Sequence, residues 1–154
     1  MNTNLELAEK LLSSAEGYCS SINTLMTQNK NTSLDAIGLL ASHSLELALK
    51  SFLLRHGSDE NELSQLGHNL ERTWGAAKNA GLDIAVITPN WLKILSAGHV
   101  FPFQYTQSKK LKTIQRLENH ELYSSVKRVL RLIQEDMERS KMLAESCSQA
   151  DDIE

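Results

Sequence analysis

The fold is decided by one stretch of the sequence, residues 33–56, which reads SLDAIGLLASHSLELALKSFLLRH. When this segment is projected as an α-helix at about 100° per residue, apolar side chains occupy nearly its whole circumference. A helix that is apolar almost all round lies in the middle of a bundle, or is shared between a core and a subunit interface. Ser33 and Asp35 suit the start of a helix, and Gly57 suits the left-handed residue that stops one. The stretch therefore predicts a central helix.

A narrow polar stripe interrupts this apolar surface. It consists of His43, Glu46 and Lys50, whose spacing of three and four residues puts them on one face of the helix. An imidazole and a carboxylate one turn apart can orient each other for catalysis or help to bind an anion. The favoured alternative is that these groups neutralise one another, or pair across a homodimer. A di-metal bundle needs carboxylates from several helices, so we expect no metal site here. We also expect no other cofactor.

The rest of the chain has the three-and-four spacing of amphipathic helices almost throughout. We predict helices or helical turns over residues 5–28, 58–66, 68–80, 89–98 and 119–143. The apolar run 84–87 fits either a helical turn or a buried extended segment. Together these elements predict an all-α, up-and-down bundle of four to five helices. We divide the chain into one helical domain, residues 1–144, and an acidic, flexible tail, residues 145–154.

Composition restricts the classes of function. The chain has 154 residues, enough to bury a hydrophobic core without disulfides or structural metal ions, and it has a net charge of -3. Nucleic-acid binding must therefore rest on a local basic patch. Two distant cysteines, Cys19 and Cys147, suit a reducing compartment. The longest uninterrupted apolar run, residues 36–41, is far shorter than the roughly 20 residues of a membrane span, and the first residues do not resemble a signal peptide. We expect a cytoplasmic protein without a membrane segment.

Two further groups of residues are candidates for binding. The segment 99–112 combines the aromatic residues Phe101, Phe103 and Tyr105 with three lysines, the ingredients of RNA contact. The favoured alternative is that its phenylalanines cover the end of the bundle while its lysines keep it soluble. His68, after Gly67, can cap the next helix or reach the polar stripe, and capping is the expected role.

Two stretches of the sequence resemble the HEPN superfamily of small helical bundles. Residues 41–53 contain a His-x-x-Glu-Leu-x-Leu-Lys pattern, and residues 66–82 contain Gly67-His68-x-Leu70. The resemblance extends over about residues 35–82. It implies a four- to five-helix up-and-down bundle that forms homodimers. It also implies that active relatives are metal-independent endoribonucleases, often toxins or defence effectors, which cleave RNA by general acid-base chemistry.

The hallmark of the active HEPN members, Arg-x4-6-His near the last helix, is absent from the sequence. The nearest approach is Arg116-Leu-Glu-Asn-His120, which is one residue too short. Because residues four apart share a helix face, Arg116 would still be able to hold a phosphate while His120 moves a proton. The departure nevertheless favours the non-catalytic members of the superfamily.

We therefore expect a non-catalytic, HEPN-like homodimer that binds RNA, a nucleotide or a protein partner in a groove beside the central helix. The expected ligand-binding residues are His43, Glu46, Lys50, His68 and Tyr105. One alternative is a metal-independent endoribonuclease of the toxin or defence type, with a displaced catalytic pair at Arg116 and His120. The other is a helical protein-interaction module unrelated to nucleic acid.

Overall fold

The computed structural model describes residues 3–28, 34–100 and 119–150, and all regular secondary structure within them is α-helical. The helices are α1 (Thr3–Gln28), α2 (Leu34–Arg55), α3 (Glu60–Leu66), α4 (Leu70–Asn79), α5 (Asn90–Val100) and α6 (Asn119–Ala150). The predicted all-α bundle is confirmed. The described residues hold six helices rather than four or five, because the short turn expected after Ser58 is a separate helix, α3.

Helix α2 is the centre of the bundle, as predicted, and contacts all five of the other described helices. Its largest buried side chains are at most 1% exposed: Ile37, Leu45, Leu49 and Phe52. By length and composition alone, Asp35–Arg55 would also suffice to cross a membrane, but 72% of its most apolar 18-residue window is buried inside the bundle. Burial in a protein core accounts for this composition equally well. Ser33, the predicted cap of this helix, lies outside the described residues.

Two serines of α2 bind the backbone of α1 directly. Ser44 donates its hydroxyl proton to the carbonyl oxygen of Ala15 at 2.7 Å, and Ser51 donates to that of Ala8 at 2.6 Å. All four residues are fully buried. The two bonds are seven residues apart on each helix and run in opposite chain directions, so α1 and α2 are antiparallel. Their small side chains let the two backbones approach closely.

Helix α6 also runs antiparallel to α1. Gln134 donates to the Glu16 carboxylate at 2.6 Å, and Lys141 pairs with Glu9 at 2.8 Å. The amphipathic helix predicted over residues 119–143 is confirmed, because buried residues recur along α6 at intervals of three and four: Leu122, Val126, Val129, Ile133 and Met137. The helix continues to Ala150, past its predicted end at Leu143, and so takes in the first part of the segment expected to be a tail. Residues 151–154 lie outside the described residues.

The connection between α4 and α5 is not helical. Within the apolar run 84–87, Ile84 is buried, whereas Val86 and Ile87 are 81% and 80% exposed. Trp74 of α4 donates its indole proton to the carbonyl oxygen of Ala85 at 3.0 Å, which anchors the segment. The run is therefore neither a helical turn nor a buried extended segment, because only Ile84 is buried and it lies in a bend.

Candidate functional site

The polar stripe of α2 is the centre of a hydrogen-bonded cluster. The side chain of Glu46 is 5% exposed, and its carboxylate accepts a hydrogen bond from Lys50 Nζ at 2.7 Å. His68 Nδ1 lies 3.0 Å from the same oxygen, and it must carry the proton to donate to a carboxylate. Lys50 also donates to the carbonyl oxygen of Gly67 at 2.8 Å. The cluster thus ties α2 to the junction between α3 and α4.

The local backbone explains how His68 reaches this cluster. Gly67 adopts a positive φ of 57° at the end of α3, which a residue with a Cβ rarely adopts. The cap of α4 is Asn69, whose side chain accepts a hydrogen bond from the amide of Arg72 at 3.0 Å. The expectation that His68 caps this helix is therefore wrong, because Asn69 has that role and His68 turns toward Glu46 instead.

The charges of this cluster compensate one another. The Lys50 side chain is 14% exposed and its ammonium group is 2.7 Å from a carboxylate oxygen. A buried charge that is paired and hydrogen-bonded avoids most of the free-energy cost of losing water. The same pairing leaves little positive potential for a phosphate. The contacts therefore favour the interpretation that Glu46, Lys50 and His68 neutralise one another and stabilise the fold, over the interpretation that they line an anion-binding groove.

His43, the remaining member of the stripe, contacts α1. Its ring stacks on Tyr18, with ring centroids 5.8 Å apart and planes inclined by 28°. Tyr18 is 38% exposed, and Leu39, one turn before His43 on α2, is 43% exposed. We call Tyr18, Leu39 and His43 the outer patch. It presents apolar surface on two neighbouring helices.

A second cluster joins the end of α2 to α6. His56 Nε2 lies 2.9 Å from Asp136 Oδ2, and Arg55 Nη1 lies 3.8 Å from the same oxygen. The Arg55 side chain is 6% exposed, and its Nη1 has no hydrogen-bond partner among the described residues. Burial lowers the pKa of Arg55, and the carboxylates of Asp136 and Glu9 partly offset that effect. This cluster is another set of charges that largely compensate one another.

The first half of α6 carries an excess of positive charge. His120, Ser124, Lys127 and Arg131 recur at intervals of four, three and four, so they lie along one face, and all four are exposed. We call this set the basic stripe. Residues 119–134 contain one acidic residue, Glu121, against three lysines and arginines, and beyond Arg131 the same face continues with the exposed residues Glu135 and Glu138. Of the stripe only His120 was a sequence candidate, although the spacing of Lys127 and Arg131 on the predicted last helix was a usable signal.

The basic stripe borders a cleft between α1 and α6. The cleft has a volume of about 230 Å³ and is lined by Glu16, Cys19, Ser20 and Asn23 of α1 and by Tyr123, Lys127, Leu130, Arg131 and Gln134 of α6. Lys127 Nζ lies 5.6 Å from the centre of the Tyr123 ring, within the range of a cation–π contact. Burial raises the pKa of the Cys19 thiol, which keeps that wall uncharged. The lining therefore has two cations and one carboxylate.

Another cleft lies on a different side of α6. It has a volume of about 210 Å³ and its walls include Trp74, Trp91, Asp83 and Arg128. The two tryptophan rings meet edge to face, with centroids 5.9 Å apart. Its walls are more apolar than those of the α1–α6 cleft and combine one cation with one carboxylate.

The remaining sequence candidates are placed as follows. Arg116 and Tyr105 lie outside the described residues, so the pair Arg116 and His120 is described only at His120, near the start of α6. Within the described residues, no group of three or more histidine, cysteine, aspartate or glutamate side chains is placed to hold a metal ion.

The geometry defines this chain as an all-α helical-bundle protein with a basic stripe on its last described helix. No protein-family model, curated protein or solved structure matches the chain. The resemblance to the HEPN superfamily therefore rests on residues 41–53 and 66–82 of the sequence.

Proposed function

We propose that this protein is a non-catalytic, HEPN-like, RNA-binding module that holds RNA phosphates along the basic stripe of α6. The observation that carries the proposal is the alignment of His120, Lys127 and Arg131 on one exposed helix face beside the α1–α6 cleft. Lysine and arginine contacts to phosphate supply most of the affinity of proteins for nucleic acids. A protein with a net charge of -3 needs such a local patch in order to bind RNA.

The same charge distribution argues for α6 rather than α2 as the RNA-binding element. Lys50 of α2 is paired with Glu46 at 2.7 Å, whereas Lys127 and Arg131 are exposed, and the acidic residues Glu135 and Glu138 continue their helix face only beyond Arg131. Long-range attraction of a polyanion depends on uncompensated charge. The absence of Arg-x4-6-His from the sequence supports binding without cleavage.

The binding proposal is tested by measuring the fluorescence anisotropy of a labelled RNA oligomer over a range of salt concentrations. We expect Lys127→Gln and Arg131→Gln to weaken binding, and each to reduce the slope of log affinity against log salt by about 1. Lys93→Gln is the matched control, because Lys93 is exposed on α5 and does not line the cleft. Negligible binding at low salt would refute the proposal and leave a protein-interaction module. Equal effects of all three variants on binding would show that the basic stripe is not the RNA-binding surface.

We also propose that the protein is a homodimer and that the outer patch is its interface. Leu39 and Tyr18 expose apolar surface on adjacent helices, and a two-fold dimer would bury both copies of it. Light scattering at micromolar concentration tests this proposal. We expect a dimer for the natural protein and a monomer for Leu39→Glu. A monomeric natural protein would refute it.

A metal-independent ribonuclease of the toxin or defence type is the second candidate. It is favoured by the exposed position of His120 at one end of the basic stripe, four residues after Arg116. Incubation of purified protein with mixed RNA in EDTA separates the two functions. Cleavage that is lost in His120→Ala would establish the enzyme, and intact RNA would exclude it.

A further inference from the structure

Tyr123 is the aromatic side chain of the α1–α6 cleft. Its ring is half-buried, and Lys127, one turn further along α6, holds its ammonium group 5.6 Å from the ring centre. Lys127 also belongs to the basic stripe. A single lysine is thus shared between an aromatic face and the surface that we propose for RNA phosphates.

The opposite wall of the cleft offers hydrogen-bonding groups. The contacts of Glu16 with Gln134 and of Glu9 with Lys141 fix the antiparallel register of α1 and α6. Seven residues along each helix from the Glu16–Gln134 pair, Asn23 lies opposite Lys127, and both line the cleft. The Asn23 side-chain amide can both donate and accept hydrogen bonds, as the edge of a nucleobase requires.

We propose that Tyr123 is a base-stacking site. In this proposal, which rests on the RNA-binding function above, an unpaired base replaces the Lys127 ammonium on the Tyr123 ring. The ammonium moves to the adjoining phosphate, and the Asn23 amide binds the edge of the base. Stacking of a base on an aromatic ring is stronger than a cation–π contact at an exposed site, so the exchange is favourable.

The dimensions of the cleft favour a single base over a duplex. Double-stranded RNA is recognised across its wide, shallow minor groove by broad surfaces. A cleft of about 230 Å³ between two helices is instead a recess into which one unstacked base can insert. The Cys19 wall stays uncharged, because burial raises the pKa of its thiol, and so does not repel the neighbouring phosphates.

The proposal is tested with two RNA probes that have the same number of phosphates, one with bases and one abasic. We expect the natural protein to bind the base-containing probe on the order of tenfold more tightly. Tyr123→Leu should abolish that preference, and Tyr123→Phe, which keeps the ring, should retain it. Lys127→Met should lower the salt dependence of binding while the preference remains. Photo-crosslinking of a 5-iodouracil probe, mapped by mass spectrometry, should label Tyr123.

The possible failures are distinguishable. If both probes bind equally well, or if Tyr123→Leu keeps the preference, the stacking site is overturned while the RNA-binding function stands. If neither probe binds at low salt, the RNA-binding function fails as well. Circular dichroism of Tyr123→Leu, with Tyr123→Phe as the conservative variant, ensures that a loss of preference is not a loss of fold.

Discussion

The Glu46→Gln substitution tests whether the polar cluster of α2 stabilises the fold. The substitution keeps the size of the side chain but removes its charge, and Glu46 is 5% exposed. Lys50 would then keep a buried ammonium group without a counter-charge. Two neutral acceptors would remain for it, the carbonyl oxygen of Gly67 at 2.8 Å and the amide oxygen of the new glutamine. His68 would lose the carboxylate to which it donates.

The size of the effect follows from these contacts. Removing one partner of a fully buried ion pair costs about 3–5 kcal/mol of the free energy of unfolding. Lys50 is 14% exposed and keeps neutral acceptors in the Gly67 carbonyl and the glutamine amide, so we expect a smaller loss of about 2–3 kcal/mol. For a domain of this length, that corresponds to a decrease in Tm of about 4–12 °C.

Urea unfolding followed by circular dichroism measures this loss and allows a double-mutant cycle. We expect Glu46→Gln and Lys50→Met each to destabilise the protein, and the double variant to cost about 1–3 kcal/mol less than the sum of the two. Glu135→Gln is the matched control, because Glu135 is exposed on α6, and it should change stability by at most about 0.5 kcal/mol. Additive effects, or single effects as small as that of the control, would refute the interpretation that the α2 stripe stabilises the fold. The stripe would then again be a candidate binding groove.

Three further predictions concern the packing and titration of individual side chains. Ser44→Ala should lower the free energy of unfolding by about 0.5–1.5 kcal/mol, because it removes one hydrogen bond to an α1 carbonyl oxygen. Ser44→Leu should lower the free energy of unfolding further, because the site is fully buried and has no room for a larger side chain. Cys19 should be alkylated more slowly than the exposed Cys147, because burial raises the pKa of its thiol, and mass spectrometry of the two modified peptides measures the rates. Lys141→Met should lower stability above about pH 4.5, and this effect should decrease as the pH falls. The reason is that the hydrogen bond and charge of Lys141 lower the pKa of Glu9 below its usual 4.5 in the folded state. The stabilisation is therefore lost as Glu9 takes up its proton.

Each of these predictions has a contrary result. An equal loss for the alanine and leucine variants of Ser44 would mean that α1 and α2 are not closely packed there. Equal alkylation rates would place Cys19 at an accessible position. An unchanged profile of stability against pH in Lys141→Met would mean that its pairing with Glu9 does not persist in solution.

The central helix and the inner face of α6 were predictable because hydrophobic periodicity records the burial of many residues together. One exposed apolar residue does not alter such a pattern, as Leu39 of α2, which is 43% exposed, shows. Gly57 was recognisable as a helix stop for a local reason. Its φ of 99° is unfavourable for a residue with a side chain.

The buried hydroxyl groups of α2 were not predictable from local sequence. Ser44 and Ser51 look like polar surface positions, and only the approach of Ala15 and Ala8 on another helix gives their hydroxyls buried acceptors. The cap of α4 was missed for a related reason. His68 and Asn69 are adjacent polar residues, and the extended backbone of Asn69, with φ of -84° and ψ of 98°, decides which one caps.

Two polar stripes in this sequence have the same helical spacing, and their charge balance separates them. On α2, Lys50 lies 2.7 Å from the Glu46 carboxylate, whereas on α6 the cations lie exposed on a stretch with a single acidic residue. The sequence predicted that the α2 groups neutralise one another, but not that His68 joins Glu46 from another element. Helix α2 nevertheless positions the proposed RNA-binding surface. Its serines hold α1, and α1 forms the wall of the cleft that faces the basic stripe.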